Sequence, residues 1–146
     1  MTPSVPAVGR LLAIDLGDKR IGLALSDPAQ TLAHPVGTLT RRAGKRFPLK
    51  QLREHLETHR PVGVVFGLPL ESDGTEGPRA REAREVGALI QAKVDLPVCF
   101  FDERMTTARA LRAVRELGGK TRGRKGDVDR LAATTLLQTF LDGRHE

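Results

Sequence analysis

Residues 11–27 read LLAIDLGDKRIGLALSD. Leu11, Leu12, Ala13 and Ile14 precede Asp15 and Leu16 follows it, so an acid sits inside an apolar run. Residues 10–16 are apolar on both faces, the pattern of a central strand. Gly17-Asp18-Lys19-Arg20 is turn material and residues 21–26, IGLALS, form a second strand, so 10–26 reads as a β-hairpin. A carboxylate in such a strand is costly, because a buried charge must be paired, protonated or bound to a metal. Asp15 is therefore the residue to explain.

Outward from the hairpin, Asp27-Pro28 breaks the second strand. A third strand is expected over 32–39, LAHPVGTL, with Pro35 marking an edge or a bulge. Leu49, Leu52 and Leu56 recur at helical spacing, and Pro61 ends that segment. VGVVFGLP at 62–69 reads as a buried strand bounded by Gly67 and Pro69, and 71–78 as a loop. A polar helix follows to about Lys93, with Ala83, Val86, Gly87 and Ile90 on one face. VCFF after Pro97 is another strand, ending in Asp102-Glu103-Arg104. A helix is expected over 107–117, stopped by Gly118, then a mobile basic loop over 118–127 and a last helix over 128–142. The order β-β-β-α-β-α-β-α-α implies a mixed sheet, antiparallel first and parallel later, with helices covering its faces.

The 146 residues suit one domain, read as a short flexible arm over 1–9 and a single domain over 10–146. No apolar run approaches the roughly 20 residues needed to span a bilayer, and the first residues lack the parts of a signal peptide. No membrane association is expected. The single Cys99 rules out an internal disulfide, so a reducing cytoplasm is the expected location. Net charge is +6 and the pI about 10.2, which favours nucleic acid as partner. Trp and Tyr are absent and there are five Phe, so base stacking is scarce and phosphate contacts should dominate.

Two further acids are anomalous. At about 100° per residue, Asp129 shares a helix face with Ala132, Ala133, Leu136 and Phe140, whereas Asp127 points elsewhere and is the better N-cap. Glu103 ends a strand whose carboxyl end is where open α/β sheets gather their active sites. Asp102 and Glu103 face opposite ways if the strand persists, so one of them can join Asp15. Three converging carboxylates would repel one another unless divalent cations joined them, and hard oxygen ligands select Mg²⁺ or Mn²⁺. The competing reading is three unrelated acids with local partners such as Lys19, Arg104 and Arg130.

Four motifs resemble the YqgF family: D-x-G-x-K-R-I-G-x-A-x-S-D at 15–27, G-L-P-L-x-x-D-G-T-E-G-P at 67–78, D-E-R-x-T-T at 102–107 and D-x-x-A-A-x-x-x-L-Q-x-x-L at 129–141. They stand in family order and span nearly the whole chain. The resemblance implies a ribonuclease H-like fold related to Holliday junction resolvases, and a nuclease that matures the 5′ end of pre-16S rRNA. It implies Asp15, Glu103 and Asp129 as catalytic acids holding one or two Mg²⁺ or Mn²⁺ ions, with Asp102 as the substitute for Glu103. Glu71-Ser72 departs from the family's usual Asn and apolar residue. A junction resolvase or other structure-selective DNA endonuclease is the alternative, and a non-catalytic ribosome-assembly factor is the alternative of another class. The partner is then structured RNA or branched DNA, and the protein a monomer or, for junctions, a homodimer.

Lys19, Arg20, Arg104, Lys120, Arg122, Arg124 and Lys125 flank these motifs and are expected to form the phosphate footprint. The amides of the Gly74, Thr75 and Gly77 stretch, just ahead of a helix, are candidates to bind a phosphate, against a plain turn. Thr106 and Thr107 read as a helix cap. His55 and His59, four apart, lack a third metal ligand, and Cys99 reads as core. D-x-G-x-x-x-x-G at 15–22 also resembles the phosphate loop of actin-like ATPases, but those need two such domains around the nucleotide.

Overall fold

The computed structural model describes residues 5–17, 19–41, 47–105 and 125–144, the last stretch with side chains from Arg130 onward. The strands are β1 (Leu11–Leu16), β2 (Arg20–Ser26), β3 (Ala33–Thr40), β4 (Gly63–Leu68) and β5 (Val98–Asp102). The helices are α1 (Leu49–His59), α2 (Pro78–Val94) and α3 (Lys125–Arg144), with a short 3-10 turn at Glu103–Met105. The sheet order is β3-β2-β1-β4-β5. β1 pairs antiparallel with β2, and β2 with β3, while β1–β4 and β4–β5 are parallel.

β1 is the central strand, buried at every position. Its alternation divides the core in two. Leu12, Ile14 and Leu16 pack with Leu52 of α1 and Ala80, Ala83, Val86 and Ile90 of α2. Leu11 and Ala13 pack on the other face with Ala132, Ala133, Leu136, Leu137 and Leu141 of α3. Each fully buried leucine contributes about 1.5–3 kcal/mol from leaving water. The expected mixed sheet with helices on both faces is therefore what forms.

Local chemistry explains the element ends. β3 is an edge strand, and its pairing jumps from Leu23↔Gly37 to Ala24↔Pro35, so the bulge falls where the proline cannot donate. α1 ends on Arg60 in the left-handed region, its amide donating to Leu56 O, and Pro61 blocks continuation. α2 opens with Pro78 in its first turn. Gly87 allows that helix to approach β5, since a Cβ there would lie 2.5 Å from the Phe100 ring. No described helix is long and apolar enough to cross a membrane.

Two expectations need correction. Of the arm expected over 1–9, residues 1–4 lie outside the described residues, and residues 5–9 are tied down: Val5 is 3% exposed. Gln30 Nε2 donates to Pro6 O and Gly9 O, both at 2.9 Å, and Arg144 donates to Pro6 O (3.2 Å) and Val5 O (3.1 Å). These partners are remote in sequence, so local composition could not reveal the docking. The basic loop expected over 118–127 is shorter at its end, because Lys125, Gly126 and Asp127 already belong to α3. The helix expected at 107–117, its cap Thr106 and Thr107, and the basic residues Lys120, Arg122 and Arg124 lie outside the described residues, as does the Lys125 side chain.

Candidate active site

Asp15 is 1% exposed, and both its carboxylate oxygens are buried. Strand alternation turns it to the α3 face, in line with Leu11 and Ala13. Its β2 partner in the register is Gly22. On β4 its neighbour is Gly67, one step beyond the Ile14↔Phe66 pair. Glycine stands on both flanks, so neither adjoining strand crowds the carboxylate with a side chain of its own.

Glu103 uses that space. It lies in the 3-10 turn after β5 and is 1% exposed. A Cβ on Gly67 would lie 3.1 Å from Glu103 Cγ and Cδ and would run into Oε1. Gly67 follows Val65, which packs toward α3, so the Glu103 carboxyl lies on the Asp15 face, over the adjoining strand. Adjacent strands are about 4.8 Å apart. Asp102 is turned elsewhere: it holds Arg104 in an ion pair of 2.8 Å. Of the two acids at the end of β5, Glu103 is the one whose carboxyl lies over Gly67, the β4 neighbour of Asp15.

The backbone at position 129 lies in α3. The far end of that helix is anchored on the segment that leads into β1, through Arg144 on Val5 and Pro6. Gln138 Oε1 accepts from Ala33 N at 2.9 Å, and its Nε2 donates to Thr31 O at 3.0 Å. α3 therefore runs opposite to β1. Nine residues of helix from 138 to 129 and four of strand from 11 to 15 both cover about 13 Å. Position 129 thus lies at the end of α3 opposite the one that meets Val5 and Pro6. The Asp129 side chain lies outside the described residues, among which no group of three His, Cys, Asp or Glu is arranged to hold a metal.

Lys19 is exposed and Arg20 half-buried at the β1–β2 turn. The turn closes through Gly17 N to Arg20 O at 3.0 Å. Arg41 clamps it in a way the sequence did not signal. Its amide donates to Lys19 O (2.8 Å), its Nη1 to Gly17 O (3.1 Å), and its Nη2 pairs with Glu82 Oε2 of α2 at 2.6 Å. Three partners distant in sequence make this clamp, so no local pattern announces it.

The loop after β4 is closed upon itself. Gly74 N donates to Glu71 O (2.9 Å) and Thr75 N to Asp73 Oδ1 (3.0 Å). A Cβ on Gly77 would run into Glu71 Oε1. Two of the expected phosphate-binding amides are engaged and a carboxylate covers the third position, which favours the plain turn. Thr75 Oγ1 also donates to Asp73 and, ahead of the Thr75 amide, holds that carboxyl below its usual range. His55 and His59 stack at 5.9 Å. Burial, then the positive charges of His55, His34 and Arg10, lowers the His59 pKa. Cys99 is half-buried, and burial pushes its thiol up, which disfavours a reactive thiolate.

A family model described as RuvX, Holliday junction resolvase, matches residues 9–143. The chain belongs to that family. A protein of Roseiflexus sp. (strain RS-1), named "Putative pre-16S rRNA nuclease", is 37% identical over 93% of this chain and 96% of its own. A protein of the same name from Koribacter versatilis is 41% identical over 93% and 88%. The chain is thus a member of a nuclease family. Among solved structures, T. thermophilus RuvC in complex with Holliday junction substrate aligns with a TM-score of 0.53 at 17% identity, covering 93% of this chain and 96% of that one. The likeness is one of fold, and it matches the ribonuclease H-like architecture expected from the sequence.

Proposed function

We propose that the chain is a divalent-metal-dependent nuclease that hydrolyses phosphodiester bonds in structured nucleic acid, acting in the cytoplasm at the 5′ end of pre-16S rRNA. The observation that carries this reading is the pair of buried acids, Asp15 and Glu103, on one face of the sheet with glycines at 22 and 67. Two carboxylates in a low-dielectric site disfavour each other's charge, and a cation relieves that cost. The donor set is hard oxygen, which fits Mg²⁺ or Mn²⁺. Asp15, Glu103 and Asp129 are the residues that would hold one or two such ions. A bound ion there would lower the pKa of water and stabilise the leaving oxygen.

The chain's own residues supply the rest. Asp15 is rigid because β1 is hydrogen-bonded on both sides. Glu103 reaches its place because Gly67 leaves room. Lys19 and Arg20 hold the phosphodiester backbone at the adjoining turn, together with Lys120, Arg122, Arg124 and Lys125 from the stretch preceding Asp129. With few aromatic residues, the contacts favour backbone shape over base identity. The relatives' name supports the rRNA substrate, whereas the family model's description supports a second reading, cleavage of four-way DNA junctions by a homodimer with two symmetric sites.

The test uses end-labelled pre-rRNA leader, single-stranded RNA and DNA, duplex DNA and four-way junctions, each with Mg²⁺, Mn²⁺ or EDTA. Wild type should cleave one of them only with metal. Asp15→Asn, Glu103→Gln and Gly67→Ala, the last displacing Glu103, should each lose about 100-fold or more in rate while still binding. The substrate cut decides between the two readings. Binding across the panel without cleavage by wild type would overturn the nuclease reading in favour of a non-catalytic assembly factor.

A further inference from the structure

Asp102 and Arg104 flank Glu103 and grip each other. The Arg104 amide donates to Asp102 Oδ1 at 2.9 Å, Nε to Oδ1 and Oδ2 at 3.2 and 3.1 Å, and Nη2 to Oδ2 at 2.8 Å. The same guanidinium crosses to another element: Nη1 donates to Ser72 O at 3.2 Å. It also lies 3.5 Å from where a Cβ on Gly74 would stand, at a φ of +90° that favours glycine. One side chain therefore joins the turn carrying Glu103 to the 71–77 loop. That loop leaves the end of β4, the strand whose Gly67 lies under the Glu103 carboxyl.

We propose that Asp102 and Arg104 are positioning residues for the site, their ion pair setting the turn that presents Glu103 and fastening the 71–77 loop beside it. The proposal rests on the reading of Glu103 as a site acid. It reassigns both residues: Asp102 serves as the cap of the turn rather than as a metal ligand, and Arg104 as an internal clasp rather than a phosphate contact. The two side chains are 25% and 34% exposed, so Coulomb attraction alone contributes little. The role lies in the planar fork, which meets a carboxylate and a carbonyl at once. A lysine cannot span both.

The experiment compares wild type with Asp102→Asn, Arg104→Lys and Glu103→Gln in the full chain. It measures hydrogen–deuterium exchange of residues 71–77, Mn²⁺ binding by paramagnetic resonance, and cleavage of whichever panel substrate wild type cuts. Asp102→Asn and Arg104→Lys should each raise loop exchange about tenfold, the scale of one charged hydrogen bond. They should lower kcat by a similar factor, with KM and Mn²⁺ affinity within about threefold of wild type. Glu103→Gln should weaken Mn²⁺ binding and leave the loop protected. Unchanged loop exchange in both clasp variants overturns the proposal. So does loss of Mn²⁺ binding in Asp102→Asn to the level of Glu103→Gln, which would make Asp102 a ligand. If wild type neither binds Mn²⁺ nor cleaves, the nuclease reading fails, and loop exchange alone decides the clasp.

Discussion

Gly22, Asp15 and Gly67 form a row across three adjacent strands, with one side chain among them. That row was half legible. An acid within LLAIDL is conspicuous because alternation forces it indoors. In the sequence Gly67 reads only as a strand boundary, since nothing local says that Glu103 will lie over it. Asp27 behaves similarly. It reads as a strand breaker beside Pro28, yet its carboxylate accepts from Thr31 N (2.7 Å), Thr31 Oγ1 (2.6 Å) and Leu32 N (3.0 Å). The Thr31 hydroxyl first, then the Leu32 amide, holds its pKa down to about 2 from 3.8. The folded chain thus binds the proton less readily than the unfolded one. The resulting stability is present in full above the unfolded value and is lost as pH falls through the folded one. The gap in Tm between wild type and Asp27→Ala should stay constant from neutral pH down to about 4 and close as pH nears 2. A gap that persists unchanged at the acid end would assign the stabilisation to something other than the charge.

At the scale of elements, α3 supplies half of the buried residues of one core. Its periodicity gave the buried face directly: Ala132, Ala133 and Leu136 were expected inside and are. It extends at least three residues further toward the N-terminus than the periodicity suggests, because Gly126 and the surrounding charges read as loop in the sequence while the helix includes them. Leu136 is fully buried and Leu131 is 51% exposed on the same helix. Leu136→Ala should cost about 2–5 kcal/mol in denaturant unfolding through its cavity. Leu131→Ala should fall within about 0.5 kcal/mol of wild type. Equal effects would mean that α3 packs by another face.

For the whole molecule, charge and sheet topology bear on the proposed function. A net charge of +6 attracts a polyanion, and the mixed sheet brings the ends of β1 and β5 to one edge of one face. Lys19 and Arg20 lie on the turn beyond Asp15. On duplex DNA each phosphate contact contributes about 0.9 to the slope of log affinity against log salt. Replacing both with Gln should flatten that slope by about two, measured by fluorescence anisotropy across a salt series. An unchanged slope would exclude them from the footprint.

The sequence by itself determined the order of the described strands and helices, the buried position of Asp15 and the family, because each depends on periodicity or on short motifs. Only the tertiary structure laid Glu103 over Gly67 and Asp102 on Arg104, docked residues 5–9 under Gln30 and Arg144, and joined Arg41 to Glu82. Those outcomes depend on which remote groups meet, and a strand's alternation stops being informative at the residue where the strand ends. Glu103 stands at that residue, and the missing side chain of Gly67 gives it somewhere to go.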